Sequence, residues 1–368
     1  MSLENLAIVK TNDLPIRHKG KVKDGKVRSV YWLTARDNKR LWSQLDLLPG
    51  TELGIMVISD RISAFECKWQ TESGLKGVPG KGASLNAISQ YWFRRFDEEG
   101  LAGNHIIDTP HPLVWLVERE DPVLVEAIAR QYITGSMWRD YKDGIREFGG
   151  VTMPEGLKKD QRLDQLLITP STKGIIRGIP GVRAKDDVNI TRQQIVDNYH
   201  KFGFKTAEDV DLYETLLTEG FSLISRELDT LGKVFVDTKF ELGYTRDAEG
   251  NPMMVYMDEI GTPDSSRYWD KAQYEKGNTV EESKEAFRQL LLNNVPDRDV
   301  LLNKDRMVER VELAKNYKVP DKVFMDTSDL YRTLAGQITG RSIPISERDA
   351  RTEIIESLRP YGIIEAAA

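Results

Sequence analysis

The chain has 368 residues, 52 of them basic and 58 acidic, for a formal net charge of −6. No global basic field draws it to nucleic acid or to an anionic membrane, so any anion site must be local. Cys67 is the only cysteine, which excludes an internal disulfide and a cysteine-rich zinc site and suits a reducing cytoplasm.

Residues 1–7 lack a basic region and a long apolar stretch, and no later run approaches membrane-spanning length. Residues 27–33 predict a strand, entered through the turn Gly25-Lys26-Val27-Arg28, where glycine permits close backbone approach and two alternating cations can face one side. A buried strand over 53–59 delivers Asp60 and Ser63 to the loop at its carboxyl end, a common place for site residues. The glycine-rich basic loop 76–82, with Lys81 near its end, reads equally as a mobile surface loop. An amphipathic helix over about 84–96 follows, and Pro110-His111-Pro112 suggests a boundary. Apolar, strand-like segments span 114–128, with a charged turn at 118–121. Arg130 and Thr134-Gly135-Ser136 add a cation and hydroxyls. Thr191 and Gln194 form a capping box, and a helix over 206–231 stops at Gly232. After about residue 275 the sequence turns charged and helix-rich. Thr279 and Glu282 form a capping box there, and a last helix is expected from Ser346 to just before Pro360. This tail reads as scaffold or as the assembly surface of a homo-oligomer.

The densest signal is the segment 234–243, whose charges alternate strictly inside an apolar run. As a strand it places Asp237, Lys239 and Glu241 on one face and Val236, Thr238, Phe240 and Leu242 on the other. Turn formers at 247–252 lead to a second apolar run, 253–260, giving a hairpin. A turn centred between Glu249 and Gly250 sets Glu241 opposite Asp258. Opposed residues have Cβ atoms roughly 4.5–5.5 Å apart, and carboxylates that close repel unless a cation lies between them; Mg²⁺ with substrate phosphates is a natural filler. A solvated hairpin with a surface Lys–Glu ladder has the same pattern. The polar loop that follows offers Ser265, Ser266 and Arg267 as phosphate donors and Asp264 as an acceptor for sugar hydroxyls or ring nitrogens.

The four histidines stand apart without metal-ligand spacing, and no Walker A string, G-x-S-x-G elbow or G-x-G-x-x-G fingerprint occurs, which disfavours a zinc site, a nucleophilic hydrolase and a Rossmann dehydrogenase.

The strings VFVDTKFELG and DEIGTPDSSRYWD closely resemble the signature blocks of the SAICAR synthetase family of purine biosynthesis. GKVRSVY, SDRISAF, PGKGASLNAISQYWF, ARQYITGSMW and TPSTKG agree in the same chain order, across roughly residues 20–275. Ser29 and Glu66 stand where the pattern has aspartate, and Leu242 where it has phenylalanine.

The resemblance implies an α+β fold, similar to the two-domain ATP-grasp arrangement, with antiparallel sheets and a helical C-terminal extension. An N-terminal β-rich domain (1–113) would cover the nucleotide, a central α+β domain (114–275) would carry metal and substrate sites, and 276–368 would form the extension. The implied reaction joins L-aspartate to carboxyaminoimidazole ribonucleotide through an acyl phosphate, consuming ATP.

In the implied site Gly25, Lys26 and Arg28 meet the ATP phosphates, with Lys173 and Asp237 as further nucleotide contacts. Arg130, Ser136 and Arg267 hold the ribosyl 5′-phosphate. Asp60, Ser63, Lys81, Asp264 and Ser266 lie near the substrates. Glu241 and Asp258 hold Mg²⁺, with Lys239 bound to a nucleotide oxygen or a partner carboxylate. A small-molecule kinase would share the metal hairpin without consuming aspartate, and a silent nucleotide-binding scaffold would have lost a metal carboxylate.

Overall fold

The computed structural model describes residues 7–365 and divides into two compact units. Residues 1–6, on which most of the N-terminal reading falls, lie outside the described residues. Among the described residues no helix is long and apolar enough to cross a membrane.

The first unit comprises the chain up to Ile88, His105–Arg119, and the tail from Ser283. Its five-stranded antiparallel sheet has the spatial order Lys23–Asp24, Arg28–Trp32, Leu53–Ile58, Val114–Glu118, Ile106–His111. Ile55, Val57 and Leu116 are fully buried and share a core with Leu85 and with Ile354, Leu358 and Ile363 of the tail. A second cluster joins Ile62, Trp69 and Val78 to Phe287, Leu291, Val319 and Phe324. The tail expected as an extension therefore supplies core to the sheet of the N-terminal residues. Pro110 lies in a strand and Pro112 in the short turn that joins it to its hairpin partner, both within this unit.

The second unit holds Ser89–Asn104 and Glu120–Glu282. Its seven-stranded sheet is built on Lys233–Arg246, flanked by Val125–Tyr132 and by Pro252–Met257. Phe240 and Leu242 are buried on one face, and the helix Asp209–Thr230 brings Phe221 to 4.8 Å from Phe235. The pairing with Arg267–Asp270 shifts register between Phe235 and Asp237, and Val236 packs with Tyr132, Val234 and Trp269. Gly220 sits where a Cβ would meet Phe240 and Phe96 at 3.0 Å, so helix and sheet approach closely only with glycine there.

The Thr191–Gln194 capping box forms as expected, and Gly232 takes a left-handed φ of +72° after the long helix. Two other caps shift. Ser283, not Thr279, caps the helix Lys284–Asn294, because Thr279 donates to Asp160 and Glu282 pairs with Lys233. Asp349, not Ser346, caps the last helix, Ala350–Leu358.

Candidate functional site

Strand pairing assembles the site in the second unit. Asp237 pairs with Arg130 and Lys239 with Ile128 across the ladder, and Ser171 pairs with Glu126 on the far side of the same strand. Paired residues share a face, so Glu126, Arg130, Ser171, Asp237, Lys239 and Glu241 stand on the side opposite Phe240. Lys239 Nζ donates to Glu126 Oε1 at 2.8 Å and to Glu241 Oε1 at 3.0 Å. Lys173 donates to the other oxygen of Glu241, and Ser171 Oγ to Glu126 Oε2 at 3.2 Å. Burial alone would raise the Glu241 pKa, but Lys239 and Lys173 override it and hold the carboxyl well below its usual range. Burial would likewise lower the Lys239 pKa, yet Glu241 and Glu126 drive it up. Glu126 and Ser171 were missed from the sequence. The signal for Glu126 was its alternation with Val125 and Ala127 in the run leading to Arg130.

Beside this cluster two guanidinium groups converge on one carboxylate oxygen. Arg130 donates to Asp237 Oδ2 at 3.1 Å and to Thr169 Oγ1 at 2.9 Å, and Arg267 donates to the same Asp237 oxygen. Asp237, expected at the nucleotide, thus anchors the arginines. Burial lowers the Arg130 pKa, and Arg267 adds to that while Asp237 opposes it. Gly135 has φ +57°, and a Cβ there would collide with the Arg267 guanidinium, so the Thr134-Gly135-Ser136 turn is shaped around that side chain. Gly135 begins the helix Gly135–Lys142, and the Thr134 side chain does not cap it. The helix thus starts against the Arg267 guanidinium, with Ser136 exposed in its first turn.

Ser266 points the other way. Its hydroxyl pairs with that of Thr238 at 2.8 Å on the buried face, so it braces the strand rather than joining Arg267. Asp264 is buried in the Thr262 turn, its N–H donating to Thr262 Oγ1 at 3.3 Å.

The register of the hairpin corrects the expected carboxylate pair. Glu241 lies opposite Met257, one position before Asp258. The connection is a five-residue loop, closed by Arg246 pairing with Pro252, because the Asp247 side chain gathers the N–H groups of Glu249 and Asn251. Asp258 leaves the strand with φ +58°, so simple alternation no longer fixes its direction. No group of three or more histidine, cysteine or acidic side chains suited to a metal occurs among the described residues. Mg²⁺ needs only one or two protein carboxylates when phosphates and water complete its shell. The ionised oxygens of Glu241 fit that requirement, provided the ammonium groups now on them turn to the phosphates.

In the first unit the glycine turn closes with Gly25 N–H donating to Arg28 O at 2.7 Å. Lys26 is exposed at its tip, but Arg28 is buried with its guanidinium 5.8 Å from the Trp115 ring, so the two cations do not present as an equivalent pair. Arg61 ties the turn down through Asp24 Oδ1 and the Gly25 carbonyl, both at 3.2 Å. Ser29, the departure from aspartate, donates to that same Asp24 oxygen at 2.9 Å. Asp60 accepts from the N–H groups of Ile8 and Gly82 at 2.9 and 2.8 Å and so anchors the start of the helix Lys81–Glu98. Burial pushes its pKa up to about 6, against those two donors and Lys81. Lys81 is fully buried with Nζ 5.8 Å from the Tyr331 ring, not displayed on a mobile loop. Ser63 is buried in a two-residue strand, Ser63–Ala64, paired with Cys67–Lys68.

The family model for SAICAR synthetase matches residues 21–305. The phosphoribosylaminoimidazole-succinocarboxamide synthases of Psychromonas ingrahamii and Vibrio parahaemolyticus are each 58% identical over 368 residues, covering 99% of this chain and 100% of the relative. A SAICAR synthase from Saccharomyces cerevisiae, solved in complex with SAICAR, superposes with a TM-score of 0.65 at 25% identity, covering 91% of this chain and 99% of that one. A SAICAR synthetase solved with ADP shares the fold at a TM-score of 0.54 and 19% identity, covering 88% of this chain and 99% of that one.

Proposed function

The chain belongs to the SAICAR synthetase family, ligases that join L-aspartate to carboxyaminoimidazole ribonucleotide with ATP in purine biosynthesis, and we propose that its charged strand face carries this reaction through an acyl phosphate. A free carboxylate is a poor acyl donor, since its charge repels nucleophiles and oxide is a bad leaving group. Phosphorylation by ATP removes both obstacles, and the aspartate amine then displaces phosphate. Positioning and charge neutralisation are what remain for the protein.

Convergence of Arg130 and Arg267 on Asp237, beside an uncapped helix start, carries the reading. Such a fork suits a phosphate dianion, here the ribosyl 5′-phosphate, with Ser136 as a further donor. Lys173 and Lys239 are suited to the ATP phosphates, and Glu126 and Glu241 hold their ammonium groups on the polar face until those phosphates arrive. Lys26, at the tip of the glycine turn, is a further ATP contact, and Ser63 a contact to the imidazole nucleotide. Mg²⁺, held by Glu241 with Asp258 as the second carboxylate, would neutralise charge on the phosphates. The lone buried Cys67 and the metabolic role suit the cytoplasm.

The test is ADP release with each substrate omitted in turn. Net turnover is expected to require both the carboxylated imidazole nucleotide and L-aspartate. Full ADP release without aspartate, leaving a stable phosphorylated product, would overturn the ligase mechanism in favour of a kinase.

A further inference from the structure

The hairpin Ser63–Lys68 turns through only two residues, since Ala64 pairs directly with Cys67. Both turn residues are left-handed, Phe65 at φ +53° and Glu66 at φ +65°. Such mirror-image turns are normally made by Asn-Gly or Asp-Gly, and phenylalanine and glutamate tolerate the conformation poorly. Glu66 also replaces the aspartate of the related pattern, whose shorter side chain suits a left-handed position better. Something must hold this turn.

Arg310, on the tail helix Met307–Asn316, is 2% exposed. Its partners are all main-chain carbonyls, Val300 at 3.0 Å, Asn303 at 2.8 Å and Phe65 at 3.3 Å. The first two lie at the C-terminal end of the helix Asp299–Leu302, where unsatisfied carbonyls carry partial negative charge and anchor a cation. The remaining arm of the guanidinium is thereby fixed on the strained turn. Cys67 lies close enough that the positive charge of Arg310 opposes the rise that burial imposes on its thiol. The tail holds the next loop in the same way, with Ser328 donating to the Pro79 carbonyl at 2.6 Å.

We infer that Arg310 is a positioning residue for the hairpin Ser63–Lys68, clamping its left-handed turn so that Ser63 is held for the imidazole nucleotide. The inference rests on the reading of Ser63 as a substrate contact.

The experiment compares Arg310→Met and Arg310→Lys with the unaltered chain, at a temperature where unfolding curves show all three folded. The KM for the imidazole nucleotide is expected to rise about tenfold in Arg310→Met while that for ATP changes less than about twofold. Modification of Cys67 by a thiol reagent should be faster in Arg310→Lys, which keeps the positive charge beside the thiol while loosening the turn. Glu66→Asp in the Arg310→Met background should recover most of the loss, because aspartate relieves the turn. A uniform loss on all substrates that follows stability alone, or no rescue by Glu66→Asp, overturns the inference. Should Arg310→Met not fold, Arg310→Lys and Glu66→Asp alone decide through Cys67, which should react faster in the first and more slowly in the second. Ser63→Ala separates the two claims. An unchanged nucleotide KM there refutes the role of Ser63, whereas the Cys67 rates still report on the clamp.

Discussion

Arg267 reaches Asp237 only because Gly135 has no side chain, and it meets Arg130 at a single carboxylate oxygen. Lysine at this position would keep the charge but lose the planar fork that can hold Asp237 and a phosphate oxygen together. Arg267→Lys is therefore expected to raise the KM for the imidazole nucleotide by roughly 10- to 150-fold, about 1.5–3 kcal/mol of binding, with the KM for ATP nearly unchanged. Steady-state kinetics with each substrate varied checks this, and an unaltered nucleotide KM would remove Arg267 from the phosphate site. Residues with one chemical meaning were the legible ones. The two arginines could hardly be anything but anion or carboxylate partners. Glu126 was not legible, because its role appears only when strand pairing sets it beside Lys239, 113 positions along the chain. The burial of Arg28 and Lys81 was not legible for the complementary reason, since their long apolar stems let a cation be buried against an aromatic ring.

Period-two alternation is a local property, so the two faces of the strand Lys233–Arg246 from Asp237 onward could be read directly from its sequence, whereas the register shift between Phe235 and Asp237 that moves Val236 off the expected face could not. Nor could its register with the next strand, because the loop after Arg246 counts five residues once the Asp247 carboxylate collects two N–H groups, and one residue moves Asp258 out of opposition. What the element builds instead is a ladder in which Glu241 joins Lys173 to Lys239, and Lys239 joins Glu241 to Glu126. Removing the Glu241 charge leaves two ammonium groups short of a partner, at a cost of roughly 3 kcal/mol, the low end for a buried pair because Lys239 is partly exposed. The sign of the pH dependence follows from the depressed pKa of Glu241. Its contribution is present in full above the unfolded value near 4.5 and is lost as pH falls through the lower folded value. The stability gap between the unaltered chain and Glu241→Gln should thus be wide at pH 7 and shrink below about pH 4.5, as read from denaturant unfolding at both pH values. Turnover of Glu241→Gln should fall sharply, with partial recovery at high Mg²⁺ concentration. A gap independent of pH would show that the carboxylate is not held ionised by its lysines.

At the scale of the molecule, the motif-poor tail proves to be interior to the first unit. The sequence showed its helices but not their destination, because amphipathic periodicity marks which face is buried and not what it is buried against. Val319, Phe324, Tyr331, Leu334, Ile338, Ile354, Leu358 and Ile363 are all buried, and every one lies beyond residue 305, where the family model ends. Burying such side chains is worth about 1.5–3 kcal/mol each, so the eight together, about 12–24 kcal/mol, match or outweigh the roughly 5–15 kcal/mol net stability of a domain. A chain ending at Asp305 should therefore fail to fold its first unit rather than give a slower enzyme. It would leave Ile62, Trp69 and Val78 without Val319 and Phe324, and Leu85 and Ile55 without Ile354 and Leu358. Expression of this truncation is expected to give aggregated protein, or soluble protein with no cooperative unfolding transition for the first unit. If it is instead soluble, unfolds cooperatively and retains activity, the tail is dispensable and its apolar contacts do not carry the fold.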